Sequence, residues 1–227
     1  MSDLKSNILA AINLASSSHV WTPADFARLG KRDAVDKTLQ RLSSDGTLRR
    51  IDRGLYDRPR LNSLTAKPTV PDYREIVDAI ARRDQLRILV DGLTAANDLG
   101  FTNVVPAKVV VYTDVRRRNI QLGNLTIQFK QAAPSRLYWA GRPAMRLVQA
   151  LRWLRDTVPH ESWGIDNRIR SILTDPTHGQ EIAHDLVDGF HTLPGWMQKL
   201  LAPYLSTSFR ERQMHPQENP HSPSSAT

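Results

Sequence analysis

Apolar residues return at helical spacing from the start of the chain. Leu4, Ile8, Ala11, Ile12 and Ala15 share one face and predict a helix from Leu4 to about Ala15, linked onward by Ser16-Ser17-Ser18. Thr22 then offers an N-cap. Pro23 takes a first helical position, where its missing N–H costs nothing, and Leu29-Gly30 closes a short helix with a residue suited to positive φ. From about Lys31 to Ser44, Val35, Leu39 and Leu42 fall on one stripe with Thr38 beside them. Asp33, Lys37, Gln40, Arg41 and Ser44 fall opposite. Asp45-Gly46 stops this helix. Leu48-Arg49-Arg50-Ile51, the loop Asp52-Arg53-Gly54 and Leu55-Tyr56 then predict a two-stranded basic hairpin.

Helix, short helix, turn, helix and hairpin in that order predict a winged helix-turn-helix over residues 1–60. Three prolines from Pro59 to Pro71 and little periodicity mark a linker, and a domain boundary, at 61–71. A mixed α/β domain is expected over 72–208. It begins with a helix near Asp72–Arg83 whose inward residues are Tyr73, Ile76, Val77 and Ile80. A strand at Arg87–Val90 and a short helix at Leu93–Leu99, closed by Gly100, follow. Lys108–Thr113 (KVVVYT) is β-branched and nearly continuous, which predicts a central strand. Ile120-Gln121-Leu122 and Leu125–Phe129 alternate on either side of Gly123-Asn124, a hairpin signal.

From Pro143 the pattern is helical. Its stripes are Leu147/Leu151/Leu154, Ile165/Ile169/Ile172, Ile182/Leu186/Phe190 and Trp196/Leu200/Tyr204. Residues 209–227 are polar and proline-rich, and disorder is expected there. The fold class expected is α+β: an N-terminal winged helix-turn-helix, then a mixed domain with a small sheet and a helical C-terminal part.

Charge sharpens this picture. Residues 1–60 carry 11 Lys and Arg against 7 Asp and Glu, residues 61–140 repeat those numbers, and residues 141–227 balance at 9 and 9. The net of +8 therefore lies in the first two thirds of the 227 residues. That agrees with nucleic-acid binding without identifying it. No cysteine is present, which excludes disulfides, thiolate metal sites and a cysteine nucleophile and fits a reducing cytoplasm. No apolar run approaches the roughly 20 residues of a membrane span. The opening residues mix charges with apolar positions, so no signal peptide is expected.

The polar face of the Lys31–Ser44 helix carries long donors of the kind that reach phosphates and base edges in a major groove. The residues expected to meet double-stranded DNA are Thr22, Lys31, Arg32, Lys37, Gln40, Arg41 and Ser44, with Arg49, Arg50 and Arg53 on the wing. An amphipathic helix with a solvated face beside an ordinary hairpin is the plainer alternative.

Three stretches, added to the winged unit, carry a family resemblance. They are Ile51-Asp52-Arg53-Gly54-Leu55-Tyr56, the segment Gly92-Leu93-Thr94-Ala95-Ala96-Asn97-Asp98-Leu99-Gly100, and Lys108–Thr113 followed by the hairpin at Ile120–Phe129. With these, residues 4–205 resemble the AbiEi antitoxins of bacterial abortive-infection and toxin–antitoxin operons. The resemblance implies a cytoplasmic protein that represses its own operon at inverted repeats and counteracts a nucleotidyltransferase-type toxin encoded next door. Direct contact with the toxin, and cooperative or dimeric binding on DNA, stay open.

Two further constellations have two readings each. Arg116-Arg117-Arg118, in the loop before the hairpin, extends the positive footprint along DNA or meets an acidic toxin surface; otherwise it is a solvated loop. Trp153 lies away from the Leu147/Leu151/Leu154 stripe, near Arg142, Arg146 and Gln149, so Arg146 and Trp153 are candidates for a protein contact. Otherwise that helix is buried on two sides. Trp139, Trp163 and Trp196 are expected in the core.

Enzyme signatures are sparse. His160-Glu161 and His184-Asp185 are neighbours that do not share a helix face, and HExxH, Walker and GxSxG motifs are absent. The rival reading is a Mg²⁺-dependent nuclease of PD-(D/E)xK type built on Glu75, Asp91 and Gln128-Phe129-Lys130. Gln128 replaces its second carboxylate and weakens the metal site. No cofactor, metal site or catalytic residue is expected.

Overall fold

A computed structural model describes residues 3–16, 18–64, 66, 68–155 and 162–214, with the backbone alone at 162, 163 and 207–214. The chain is mixed α+β, with eight α-helices and two small sheets among the described residues. It forms two compact units: Met1–Asp91 with Pro106–Ala140, and Gly92–Val105 with Gly141–Thr227.

The first unit opens with α1 (Leu4–Leu14), followed by β1 (Val20–Trp21), a single 3₁₀ turn at Pro23–Phe26 and α2 (Arg32–Ser44). The short helix expected to run to Gly30 is thus only one tight turn. β2 (Arg49–Asp52) and β3 (Leu55–Asp57) form the hairpin, and β1 pairs with β3 to give a three-stranded sheet in the order β1-β3-β2. Gly54 at φ +66° turns the hairpin, a left-handed backbone that costs glycine least. Ile8, Ile12, Trp21, Phe26, Val35, Leu39, Leu42, Leu48 and Tyr56 make one core beneath α1 and α2.

In the small sheet, β1 and β3 are buried on both faces. Side chains alternate along a strand, so Trp21 and Tyr56 join the helical core while their neighbours Val20 and Leu55 point the other way. There they enter a second core with Ile76, Val77 and Ile80 of α3 (Tyr73–Asp84). This core continues into a four-stranded sheet of β4 (Ile88–Val90), β5 (Lys108–Thr113), β6 (Ile120–Leu122) and β7 (Leu125–Gln131), ordered β4-β5-β7-β6. β5 is interior, as its composition predicts, antiparallel to β4 and parallel to β7. The proline-rich stretch at 61–71 is therefore a connection within one compact unit, because the apolar faces on either side of it share a core.

The second unit holds α4 (Gly92–Asp98), α5 (Met145–Trp153), α6 (Ser162–Leu173), α7 (Gly179–Asp188) and α8 (Gly195–Met214). α4 lies so close to α5 that a Cβ on Gly92 would stand 2.6 Å from Trp153 Cβ and 2.8 Å from the Gln149 carbonyl oxygen. Arg142, three residues before α5, pairs with Asp185 and Asp188 of α7, at 2.6 and 2.7 Å. On α8 the buried stripe is Met197, Leu201 and Leu205, one position on from the expected Trp196/Leu200/Tyr204, which is half-buried. α8 also continues past 208 to Met214, so the tail expected at 209–227 begins inside a helix; 215–227 lies outside the described residues. Trp139 is buried as expected, Trp196 only partly, and the Trp163 side chain lies outside the described residues. Among the described residues no helix is long and apolar enough to cross a membrane.

Candidate nucleic-acid interface

α2 is two-faced because its sequence is. Val35, Leu39 and Leu42 are fully buried, while Lys37, Gln40, Arg41 and Ser44 are exposed. The Lys37, Gln40 and Arg41 side chains have no hydrogen-bond or ion-pair partner among the described residues. Lys31 caps the helix and is exposed. Arg32 is exposed but pairs with Asp36 one turn on, at 2.9 Å. The Ser44 hydroxyl donates to the Gln40 carbonyl at 3.0 Å and is already partly spent. Asp45, just past the helix, is held below the usual carboxylate range by the Thr47 side chain and amide.

Two expected DNA contacts are corrected. Thr22 is buried, and both its amide and its hydroxyl donate to the Asp25 carboxylate, at 2.6 and 3.1 Å. It starts the 3₁₀ turn and offers nothing to a ligand. Arg49 grips Asp57 with two nitrogens, Nε to Oδ1 at 2.9 Å, and its third nitrogen donates to the Thr69 carbonyl at 2.7 Å. Its guanidinium neutralises a buried carboxylate on the neighbouring strand. Arg50 and Arg53 remain exposed, without a side-chain partner among the described residues.

The β2–β3 loop meets a charged cluster that no motif announced. Arg83, near the end of α3, donates to the Arg53 carbonyl at 2.6 Å and to both oxygens of Asp84, at 2.7 and 2.8 Å. Arg117 bonds the same Asp84 and lies 3.9 Å from Asp52 at the end of β2. Its guanidinium also sits 5.4 Å over the Phe129 ring. The Arg83 hydrogen bonds, with charge support from Arg83 and Arg117, hold the Asp84 carboxyl below its usual range, and Asp84 raises Arg83 in return. Arg117 is thus an internal tether instead of a solvated cation. Arg116 and Arg118 on either side are exposed, with no partner among the described residues.

In the second unit, Arg146 pairs at 3.2 Å with Asp98, whose side chain is 3% exposed. It is an internal strut between α5 and α4 and leaves the set of candidate partner contacts. Trp153 is 45% exposed, so the helix is not buried on both sides at that point.

Two residues of the rival nuclease reading, Glu75 and Asp91, have partners elsewhere. Glu75 lies 3.6 Å from His19. Asp91 accepts from the Val110 amide and donates its own amide to the Val110 carbonyl, both at 2.9 Å, extending the β4–β5 ladder. Gln128 presents a buried, unpartnered Oε1, and Lys130 is exposed. Among the described residues no three His, Cys, Asp or Glu side chains are grouped to hold a metal ion.

The comparison with curated proteins gives no match. A family model described as a family of unknown function, DUF6088, matches residues 7–178, which takes in the two-faced helix, the hairpin, both sheets and the packed α4–α5 pair. The chain belongs to the DUF6088 family.

Proposed function

We propose that this chain is a DNA-binding autorepressor and antitoxin of a toxin–antitoxin operon, acting in the cytoplasm by binding and not by catalysis. Its N-terminal part would be a winged helix-turn-helix, with α2 as recognition helix and the β2–β3 hairpin as wing. The single observation that carries the reading is the free polar face of α2: Lys37, Gln40 and Arg41 stand exposed above a fully buried Val35/Leu39/Leu42 stripe. Gln suits an adenine edge, while Arg and Lys suit guanine or phosphates. Arg50 and Arg53 add cations where a wing meets the backbone, and phosphate contacts of this kind set orientation on the duplex. Repression would follow from occupancy of inverted repeats upstream of the chain's own reading frame.

The antitoxin half rests on the resemblance to the AbiEi antitoxins. In this reading the opposed toxin is a nucleotidyltransferase encoded beside the chain. A direct test has two arms. Footprinting on the upstream DNA is expected to show paired protected half-sites, and co-expression is expected to restore growth to cells making the neighbouring gene product. Uniform, sequence-independent protection would overturn the repressor role. Unrelieved growth arrest would overturn the antitoxin role.

A further inference from the structure

The Arg117 tether puts a second cationic loop beside the wing. Arg117 reaches Asp52 on the wing and Asp84 at the end of α3, while Arg83 holds the Arg53 carbonyl. Consecutive Cα atoms are about 3.8 Å apart, so Arg116 and Arg118 leave the backbone immediately on either side of this anchor. Both are exposed and make no ion pair among the described residues. Asp52 and Asp84 are already engaged by Arg117 and Arg83, and the loop's own carboxylate, Asp114, accepts from the Thr113 hydroxyl at 3.1 Å. Cations would therefore dominate what the loop and wing offer to a ligand. Duplex DNA offers one negative charge per roughly 1.7 Å of axis, so a groove-directed wing places phosphates on both of its flanks.

Resting on the DNA-binding reading above, we propose that residues 114–119 form a second DNA-contacting element. Arg117 holds it in register with the wing, and Arg116 and Arg118 take backbone phosphates of the same duplex. Arg117 and Asp84 are positioning residues that touch protein only. This assigns Arg116 and Arg118 to nucleic acid and not to an acidic protein surface.

The test measures affinity for a duplex from the upstream region across a fourfold rise in salt, from 50 to 200 mM. Each phosphate contact contributes a slope of about 0.9 in log–log form. Losing two contacts in the Arg116→Ala/Arg118→Ala double variant should shrink the salt penalty over that interval about twelvefold. Asp84→Asn removes the charge that holds both Arg83 and Arg117 in place, so it is expected to speed hydrogen exchange at residues 52–54 without any DNA and to weaken DNA binding. Asp84→Glu should restore part of both. If the parent chain binds and the double variant keeps its salt slope, the second element is refuted while the recognition helix stands. If the parent chain fails to bind duplex DNA at all, the underlying reading falls and this proposal with it.

Discussion

Arg49 and Arg50 are neighbours on one strand with opposite assignments, and replacing each in turn separates stability from binding. The Arg49 side chain is 29% exposed and its partner carboxylate on Asp57 only 7%. Stranding a buried carboxylate by removing its partner costs about 3–5 kcal/mol. Water can reach this pair from the Arg49 side, so a screened value of about 2–3 kcal/mol is the better expectation. At roughly 2–4 °C per kcal/mol for a chain of this size, Arg49→Ala should lower the melting temperature by about 4–12 °C. Arg49→Lys should recover only part of that, because an ammonium cannot grip both carboxylate oxygens in a planar fork. Arg50→Ala, at an exposed position, should stay within about 0.5 kcal/mol of the parent and weaken DNA binding instead. Thermal and urea unfolding followed by circular dichroism reads the first effect. Equal stability for the two alanine variants would refute the internal role given to Arg49.

Three other residues give outcomes of the same kind. Gly92→Ala pushes a methyl to within 2.6 Å of Trp153 Cβ, and urea titration should show a loss of about 1–3 kcal/mol from the overpacked α4–α5 contact. Tyr204, whose hydroxyl donates to Asp166 at 2.8 Å, has its phenol pushed up to about 12, by burial first and that bond second. Its folded value exceeds the unfolded one, so its contribution to stability is present below pH 10 and is lost as pH rises toward 12. Tyr204→Phe should remove that alkaline loss, read from unfolding midpoints across pH 9–12. Asp84 runs the other way. Its depressed carboxyl supports the fold above the unfolded value near 3.8, and the support is lost as pH falls below it. Acid titration should therefore loosen residues 52–54 in the parent chain but not in Asp84→Asn.

Much of the fold was readable because it follows local periodicity. The Val35/Leu39/Leu42 stripe, the KVVVYT strand and the Gly123-Asn124 hairpin each announce themselves within a few residues. What escaped depends on distant partners. β1 is only Val20–Trp21, too short for any alternation to register, yet it completes the small sheet and sends Val20 into the next core. For the same reason the prolines at 61–71 looked like a boundary, since sharing of a core across a linker leaves no local mark. On α8 the expected stripe was one residue out because Trp196/Leu200/Tyr204 and Met197/Leu201/Leu205 are equally apolar there, and only packing chooses between them.

The site divides in the same manner. Exposure of Lys37, Gln40 and Arg41 was legible from the helix period. The fates of Arg49, Arg117 and Arg146 were not, because each is decided by a carboxylate far along the chain or on another strand: Asp57, Asp84 and Asp98. Composition counts these arginines as free charge, although their charge is spent inside. Arg83 and Asp84, which sit against the β2–β3 loop, carried no sequence signal beyond adjacency at a helix end.

In the proposed function the exposed side of α2 reads duplex DNA. The most direct measurement is the affinity of Lys37→Ala/Arg41→Ala for the upstream duplex, beside its melting temperature. Both positions are exposed on the helix, so the melting temperature should stay with the parent. Affinity should fall and the salt slope should drop by roughly two if both side chains meet phosphates. Unchanged affinity and slope in a stably folded variant would contradict the account.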